Sequence, residues 1–227
     1  MLKAEKIQRF GPASAGFVFI QMTEERDREM TDREILKLEE LPGASDRQLI
    51  IAPVEDWNRD LAPWKADPVF GKEGFGDGAQ ETLEELKKTV ISSPEGEDGA
   101  GERRYFLCGY SLAGLFALWA AAQTDIFSGI VAASPSVWYP SWISYAREHS
   151  FMTDAVYLSL GDREEAAKNP VLSSVGACIN EQQQILLDQE VPCFLEWNPG
   201  NHFKDADIRM AKGIRRMQEY FSRTDPC

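Results

Sequence analysis

Residues 105–122 read YFLCGYSLAGLFALWAAA: an apolar run, a corner of small residues, then a segment apolar on every side. The run Tyr105-Phe106-Leu107-Cys108 predicts a strand, and residues 112–122, apolar all round, predict a buried helix. Between them, Gly109-Tyr110-Ser111-Leu112-Ala113-Gly114 has the form small-x-Ser-x-small. Where a strand turns directly into a helix, side chains flanking the turn collide, so Gly109 and Ala113 must be small. The serine at the apex then sits in strained backbone with its hydroxyl exposed. The helix start points at that hydroxyl, so the Leu112 N–H and the helix dipole can stabilise a negative oxygen there. The pattern alone arises by chance in about one chain in six of this length. A strand before it and a helix after it are the context it requires, and Ser111 is the candidate nucleophile.

Working outward, strand and helix patterns alternate, which predicts an α/β class with a mostly parallel sheet in a three-layer α/β/α sandwich. Residues 16–21 (GFVFIQ) read as a strand. Thr31 and Glu34 are spaced as a capping box for a helix whose apolar face is Ile35, Leu38 and Leu41, stopped by Pro42-Gly43. Residues 49–54 (LIIAPV) are apolar enough for a strand buried on both faces. Residues 55–78 form a long loop carrying Trp57, Trp64, Phe70 and Phe75, too aromatic for disorder and long enough to be functional. A helix is predicted over 79–91 and a polar, Gly-rich surface loop over 92–102. Further strands are predicted at 130–133, 156–160 and 193–197. Pro170 opens a helix reaching about Asp188. A last helix carries Ile208, Ala211, Ile214, Met217 and Phe221 on one face. No internal repeat interrupts the pattern, and residues 1–227 read as one domain.

A serine hydroxyl needs a base, and on such a fold the chain order is Ser, acid, His. The sequence has two histidines. His149 lies in the charged stretch 145–149 and reads as an exposed helical residue. His202 follows the last strand in Asn198-Pro199-Gly200-Asn201-His202-Phe203, at a strand's carboxyl end, where ligands meet open α/β sheets. The acid should end the preceding strand, to orient the imidazole. Asp162, Glu164 and Glu165 all follow Gly161, and spacing alone does not separate them.

Bulk composition narrows the classes. At 227 residues, 43% hydrophobic and 11% aromatic, the chain is long enough for one large core. A net charge of −13 argues against a nucleic-acid partner, which would need clustered cations. No apolar stretch approaches the ~20 residues of a membrane span. The charged start lacks an apolar leader, so a cytoplasmic location with reduced thiols is expected. The four cysteines, Cys108, Cys178, Cys193 and Cys227, form no C-x-x-C pair, and no zinc, other metal or cofactor is expected.

Five short motifs in this order resemble the esterase family that includes siderophore (enterochelin) esterases, esterase D and the mycolyltransferases. They are GYSLAG at the serine, DWNRDLAPW at 56–64, SPSVW at 134–138, the Gly-x-x-acid at 161–164 and GNHF at 200–203. The resemblance spans about residues 16–221 and implies an α/β-hydrolase fold with little or no cap domain, and carboxylic-ester chemistry on a small-molecule substrate. It puts the nucleophile on Ser111, the base on His202 and the acid on Glu164, with Asp162 second. It puts the second oxyanion donor beside that of Leu112 near Met22, although Gln21-Met22-Thr23 stands where relatives often show Asp-Gly. Arg59 and Trp138 match segments that approach the substrate in the family. Trp57, Trp64, Trp138 and Trp142 together suggest an aromatic-lined pocket. The same residues would also serve acyl transfer to an alcohol, as in the mycolyltransferases, or a ligand-binding protein that has lost its chemistry.

Overall fold

The computed structural model describes residues 1–69, 71–91 and 103–224. Phe70, the polar loop 92–102 and Cys227 lie outside the described residues. Strands β1 (Gln8–Phe10), β2 (Phe17–Thr23), β3 (Arg47–Pro53), β4 (Arg104–Tyr110), β5 (Phe127–Ala133), β6 (Ala155–Gly161) and β7 (Cys193–Asn198) form one sheet. Its order is β1-β3-β2-β4-β5-β6-β7. Every pairing is parallel except β1 with β3. The helices are α1 (Arg28–Glu40), α2 (Trp57–Asp60), α3 (Ala79–Leu86), α4 (Leu112–Ala121), α5 (Trp142–Glu148), α6 (Pro170–Ser173), α7 (Val175–Asp188) and α8 (Ala206–Thr224).

The central strands are apolar on both sides because both faces are covered. Val18, Ile20, Met22, Leu107, Ile130, Ala132, Val156 and Leu158 point to the layer that holds α3, α4, α5 and α7. The residues between them, Phe17, Phe19, Phe106, Cys108, Val131, Ala155 and Tyr157, point to the layer of α1 and α8. Period-two alternation thus makes the three-layer α/β/α sandwich. α4 is buried along its whole length, as its uniformly apolar sequence requires. α8 lies so close to the sheet that a Cβ on Gly213 would meet Val131 Cγ1 at 2.5 Å.

Several local readings are corrected. β1 carries Gln8 and Arg9, is largely exposed, and has no apolar pattern to betray it. The stretch 55–78 is not one loop: it holds α2 and a bridge between Ala66 and Phe75. The helix predicted over 170–188 is two, α6 and α7, and the one over 79–91 ends as a π-helical turn, Lys87–Ile91. The capping box is formed by Glu24 and Asp27, not Thr31 and Glu34. Thr31 lies inside α1, and Glu34 is buried with its Oε2 accepting from Gln21 Nε2 at 2.9 Å. Cys108, Cys178 and Cys193 are free thiols. Among the described residues no helix is long and apolar enough to cross a membrane.

Glu34 makes stability depend on pH. Burial, against the Gln21 hydrogen bond and with the nearby Asp207 charge, pushes its carboxyl up to about 8. The unfolded chain loses that proton near pH 4.5. Between these values the folded chain therefore holds an extra proton, and stability falls as pH rises. Glu34→Gln is expected to match the wild type near pH 5 and to exceed its stability by roughly 3–5 kcal/mol at pH 8.5. Urea denaturation at the two pH values measures this, and an equal difference at both refutes it.

Candidate active site

β4 runs directly into α4 through Ser111, whose φ of 57° and ψ of −120° lie where a side chain is strained. Two backbone bonds hold the corner: Ser111 N–H donates to Ala133 O at 3.0 Å, and Ser136 N–H donates to Ser111 O at 3.0 Å. The turn tolerates nothing but glycine at 109, since a Cβ there would meet Ala113 C at 2.2 Å. The Leu112 amide is among the first four of α4, which have no helical carbonyl to bond.

His202 stands on the loop after β7, and its Nε2 is 3.1 Å from Ser111 Oγ. Ser136 Oγ lies 3.4 Å from the same oxygen. On the other side, His202 Nδ1 is 2.8 Å from Glu164 Oε2. Glu164 opens a short 3₁₀ turn after β6, is 7% exposed, and has its other oxygen fully engaged. Glu164 Oε1 accepts from Gly161 N–H at 2.7 Å, Ser134 Oγ at 2.7 Å and Arg209 Nη1 at 2.9 Å. Burial alone would raise its pKa. The hydrogen bond and charge of His202, with the Ser134 and Gly161 bonds, outweigh that and hold it below the usual carboxylate range.

The three carboxylates after Gly161 thus separate by geometry. Asp162 is exposed and accepts from Gly200 N–H at 2.7 Å, bracing the loop that carries His202. Glu165 is exposed, and its side chain lies where a Cβ on Gly176 would sit. Neither touches the imidazole. His149 is exposed and stacks on Tyr145. Sequence reasoning missed Arg209, Ser134 and Tyr110, whose hydroxyl donates to His202 O at 2.6 Å. Only the SPSVW motif hinted at Ser134.

A cleft of about 1510 Å³ opens over this line of residues. Ser111, Glu164 and His202 form part of its lining, with Trp57, Trp138 and Phe203. Arg59 does not belong to it. The single turn of α2 places Trp57 and Asn58 toward the cleft and turns Arg59 away, where its guanidinium meets Glu81 Oε2 at 3.2 Å. Trp64 and Trp142 are likewise corrected: Trp142 is buried with its indole N–H on Gln182 Oε1, and Trp64 stacks on it.

Met22 is also displaced from its expected place. It is 2% exposed and pairs with Gly109 inside the β2–β4 ladder. In an extended chain the amide and carbonyl of one residue face the same neighbour, and successive residues face opposite ones. Thr23 O accepts from Val54 N–H at 2.9 Å, so Thr23 faces β3 and both Met22 and Glu24 face β4. Glu24 is still extended, at φ −128° and ψ 170°, and stands past the end of that ladder at the cleft. Its N–H donates to Asp27 Oδ2 at 3.3 Å. Among the described residues no three of His, Cys, Asp and Glu gather as metal ligands would.

No protein-family model matches the sequence, and no curated protein sequence matches it. Solved structures do match. An IroE-like serine hydrolase from Shewanella oneidensis superposes with a TM-score of 0.74 at 18% identity, covering 92% of this chain and 72% of that one. The siderophore hydrolase EstA from Aspergillus nidulans gives 0.68 at 20% identity, covering 92% and 84%. The enterobactin esterase FES from Shigella flexneri gives 0.65 at 14% identity; 97% of this chain is covered, which spans 58% of that protein. These neighbours are of the kind that the sequence motifs resemble, and the chain has the fold they share, the α/β-hydrolase fold.

Proposed function

We propose that the protein is a serine carboxylic-ester hydrolase in which Ser111 is the nucleophile, His202 the general base and Glu164 the acid. The observation that carries this is the unbroken line from Ser111 Oγ to His202 Nε2 at 3.1 Å and from His202 Nδ1 to Glu164 Oε2 at 2.8 Å. His202 takes the hydroxyl proton as Ser111 Oγ attacks the ester carbonyl, and Glu164 keeps the Nδ1–H tautomer and stabilises the imidazolium. His202 returns the proton to the departing alcohol. Water, activated by the same imidazole, then cleaves the acyl-enzyme. The developing oxyanion is met by the Leu112 N–H and, in place of Met22, by the Glu24 N–H, once substrate displaces the long bond to Asp27. The names of the structural neighbours, siderophore hydrolases and an enterobactin esterase among them, support a small-molecule ester as substrate. The single sheet that every named strand among the described residues joins supports reading residues 1–227 as one domain.

The test is turnover of a panel of activated short-chain esters, with labelling by a fluorophosphonate mapped by mass spectrometry. The reading requires hydrolysis and a label on Ser111; failure of both overturns it. Within the cleft, Trp57→Ala and Trp138→Ala are each expected to raise KM for an aryl ester by about tenfold through lost aromatic contact. Arg59→Ala is expected to leave KM within about twofold, because its guanidinium is held by an exposed ion pair away from the cleft. Steady-state kinetics distinguish the two patterns, and a larger effect at Arg59 than at either tryptophan contradicts this map of the cleft.

A further inference from the structure

We propose that Arg209 is a positioning residue, whose guanidinium locks Glu164 and the His202 loop into one unit and sets the lower pH limit of activity. This rests on the serine-esterase reading above. Arg209 lies near the start of α8 and is 1% exposed, a place where arginine is rare unless its charge is answered. Its Nη1 donates to Glu164 Oε1 at 2.9 Å, to Ser134 Oγ at 2.9 Å and to the Tyr110 hydroxyl at 3.2 Å. Its Nη2 donates to Asn201 O at 2.9 Å. Tyr110 in turn donates to His202 O. One planar fork therefore braces the acid, the serine that orients it, the residue before the nucleophile and the backbone on both sides of the histidine. A lysine's compact ammonium cannot reach these places at once.

The mechanical consequence is that the Glu164 carboxylate cannot rotate, since Oε1 is held by three donors and only Oε2 is left for His202. The electrostatic consequence follows from charge. Glu164 and Arg209 together are neutral, so a proton added to His202 enters a site whose anion is already balanced. Removing the guanidinium leaves Glu164 unbalanced and makes the imidazole easier to protonate. The enzyme needs His202 neutral, so the variant loses activity at a higher pH as the medium is acidified. The other charged and titratable groups around the site are Glu24, Arg26 and Asp27 between β2 and α1, Arg33 on α1, Lys72 and Glu73 between α2 and α3, Tyr110 on β4, Asp162 and Arg163 after β6, Asp205 before α8 and Asp207 on it. Asp207 is paired with Arg33 and Lys37. All of them remain in the variant.

The experiment compares wild type, Arg209→Met and Arg209→Lys by NMR titration of the two histidine rings and by kcat/KM against pH on an activated ester. In Arg209→Met the His202 midpoint and the acidic limb of kcat/KM are expected to rise together by about 1 pH unit. Exposed His149 serves as the internal control and stays put. The rate at the optimum falls by about 10²-fold, the size of a small misplacement of catalytic groups. Arg209→Lys keeps the charge, so its midpoint stays within about 0.3 unit of wild type while kcat still falls by about tenfold. An unmoved His202 midpoint in a folded Arg209→Met overturns the proposal, and so does an unchanged kcat in Arg209→Lys, which serves if the methionine variant does not fold. If instead the wild type cleaves no ester and Ser111 is unlabelled, the esterase reading fails, and the NMR titration still reports on Arg209.

Discussion

Ser111→Ala is expected to lower kcat on an activated ester by about 10⁶-fold, the loss seen when the nucleophile of a serine hydrolase is removed. The size follows from the proposed path of the reaction: without Oγ no acyl-enzyme can form, and water must attack the carbonyl directly. Some acceleration over bulk water should survive, because the Leu112 amide and the binding cleft are untouched. Stability should hardly change. The strained corner is maintained by the Ser111 N–H bond to Ala133 O and the Ser136 N–H bond to Ser111 O, and both belong to the backbone. Single-turnover kinetics, with a thermal melt beside them, measure both halves. A variant that folds and retains rates within tenfold of wild type removes Ser111 from the chemistry.

Glu164→Gln is expected to cost about 10⁴-fold in kcat. In the proposed mechanism the carboxylate, an acceptor only, keeps the proton of His202 on Nδ1 and leaves Nε2 free to receive the serine's. A glutamine amide in the same place can donate to Nδ1 and trap the tautomer in which Nε2 already carries a hydrogen. It also leaves the Arg209 guanidinium without the anion that answers it. Asp162→Asn makes the contrast. Asparagine retains a carbonyl oxygen for the Gly200 N–H, so kcat should stay within about threefold. Measuring the two variants at one pH decides between the neighbouring carboxylates, and a greater loss at 162 than at 164 contradicts the assignment.

The fold was legible wherever burial imposes a pattern along the chain. β2, β3, β4, β5 and β6 are apolar on both faces because helices cover both, and α4 is apolar all round because it is enclosed. β1 was not legible, for the same reason in reverse: three largely exposed residues have no pattern to show. At the site, Gly109, Ser111 and Ala113 were readable because the strand-to-helix corner is a local steric problem with few solutions. His202 was readable because it follows a strand end in a loop shaped by Pro199 and Gly200.

What the sequence by itself determined is therefore the alternation that makes a layered sheet, the sharp turn at residue 111, and a histidine at the correct edge. Tertiary structure alone decided which carboxylate meets that histidine, that Arg59 faces Glu81 while Trp57 faces the cleft, and that Met22 ends the β2–β4 ladder while Glu24 stands past it at the cleft. The reason is physical. Steric and periodic constraints act between neighbours in the chain and are written in residue spacing. Glu164, His202 and Arg209 instead meet from separate segments, and a difference of one or two residues in a turn, invisible in composition or periodicity, determines whether a side chain points into the cleft or out to water.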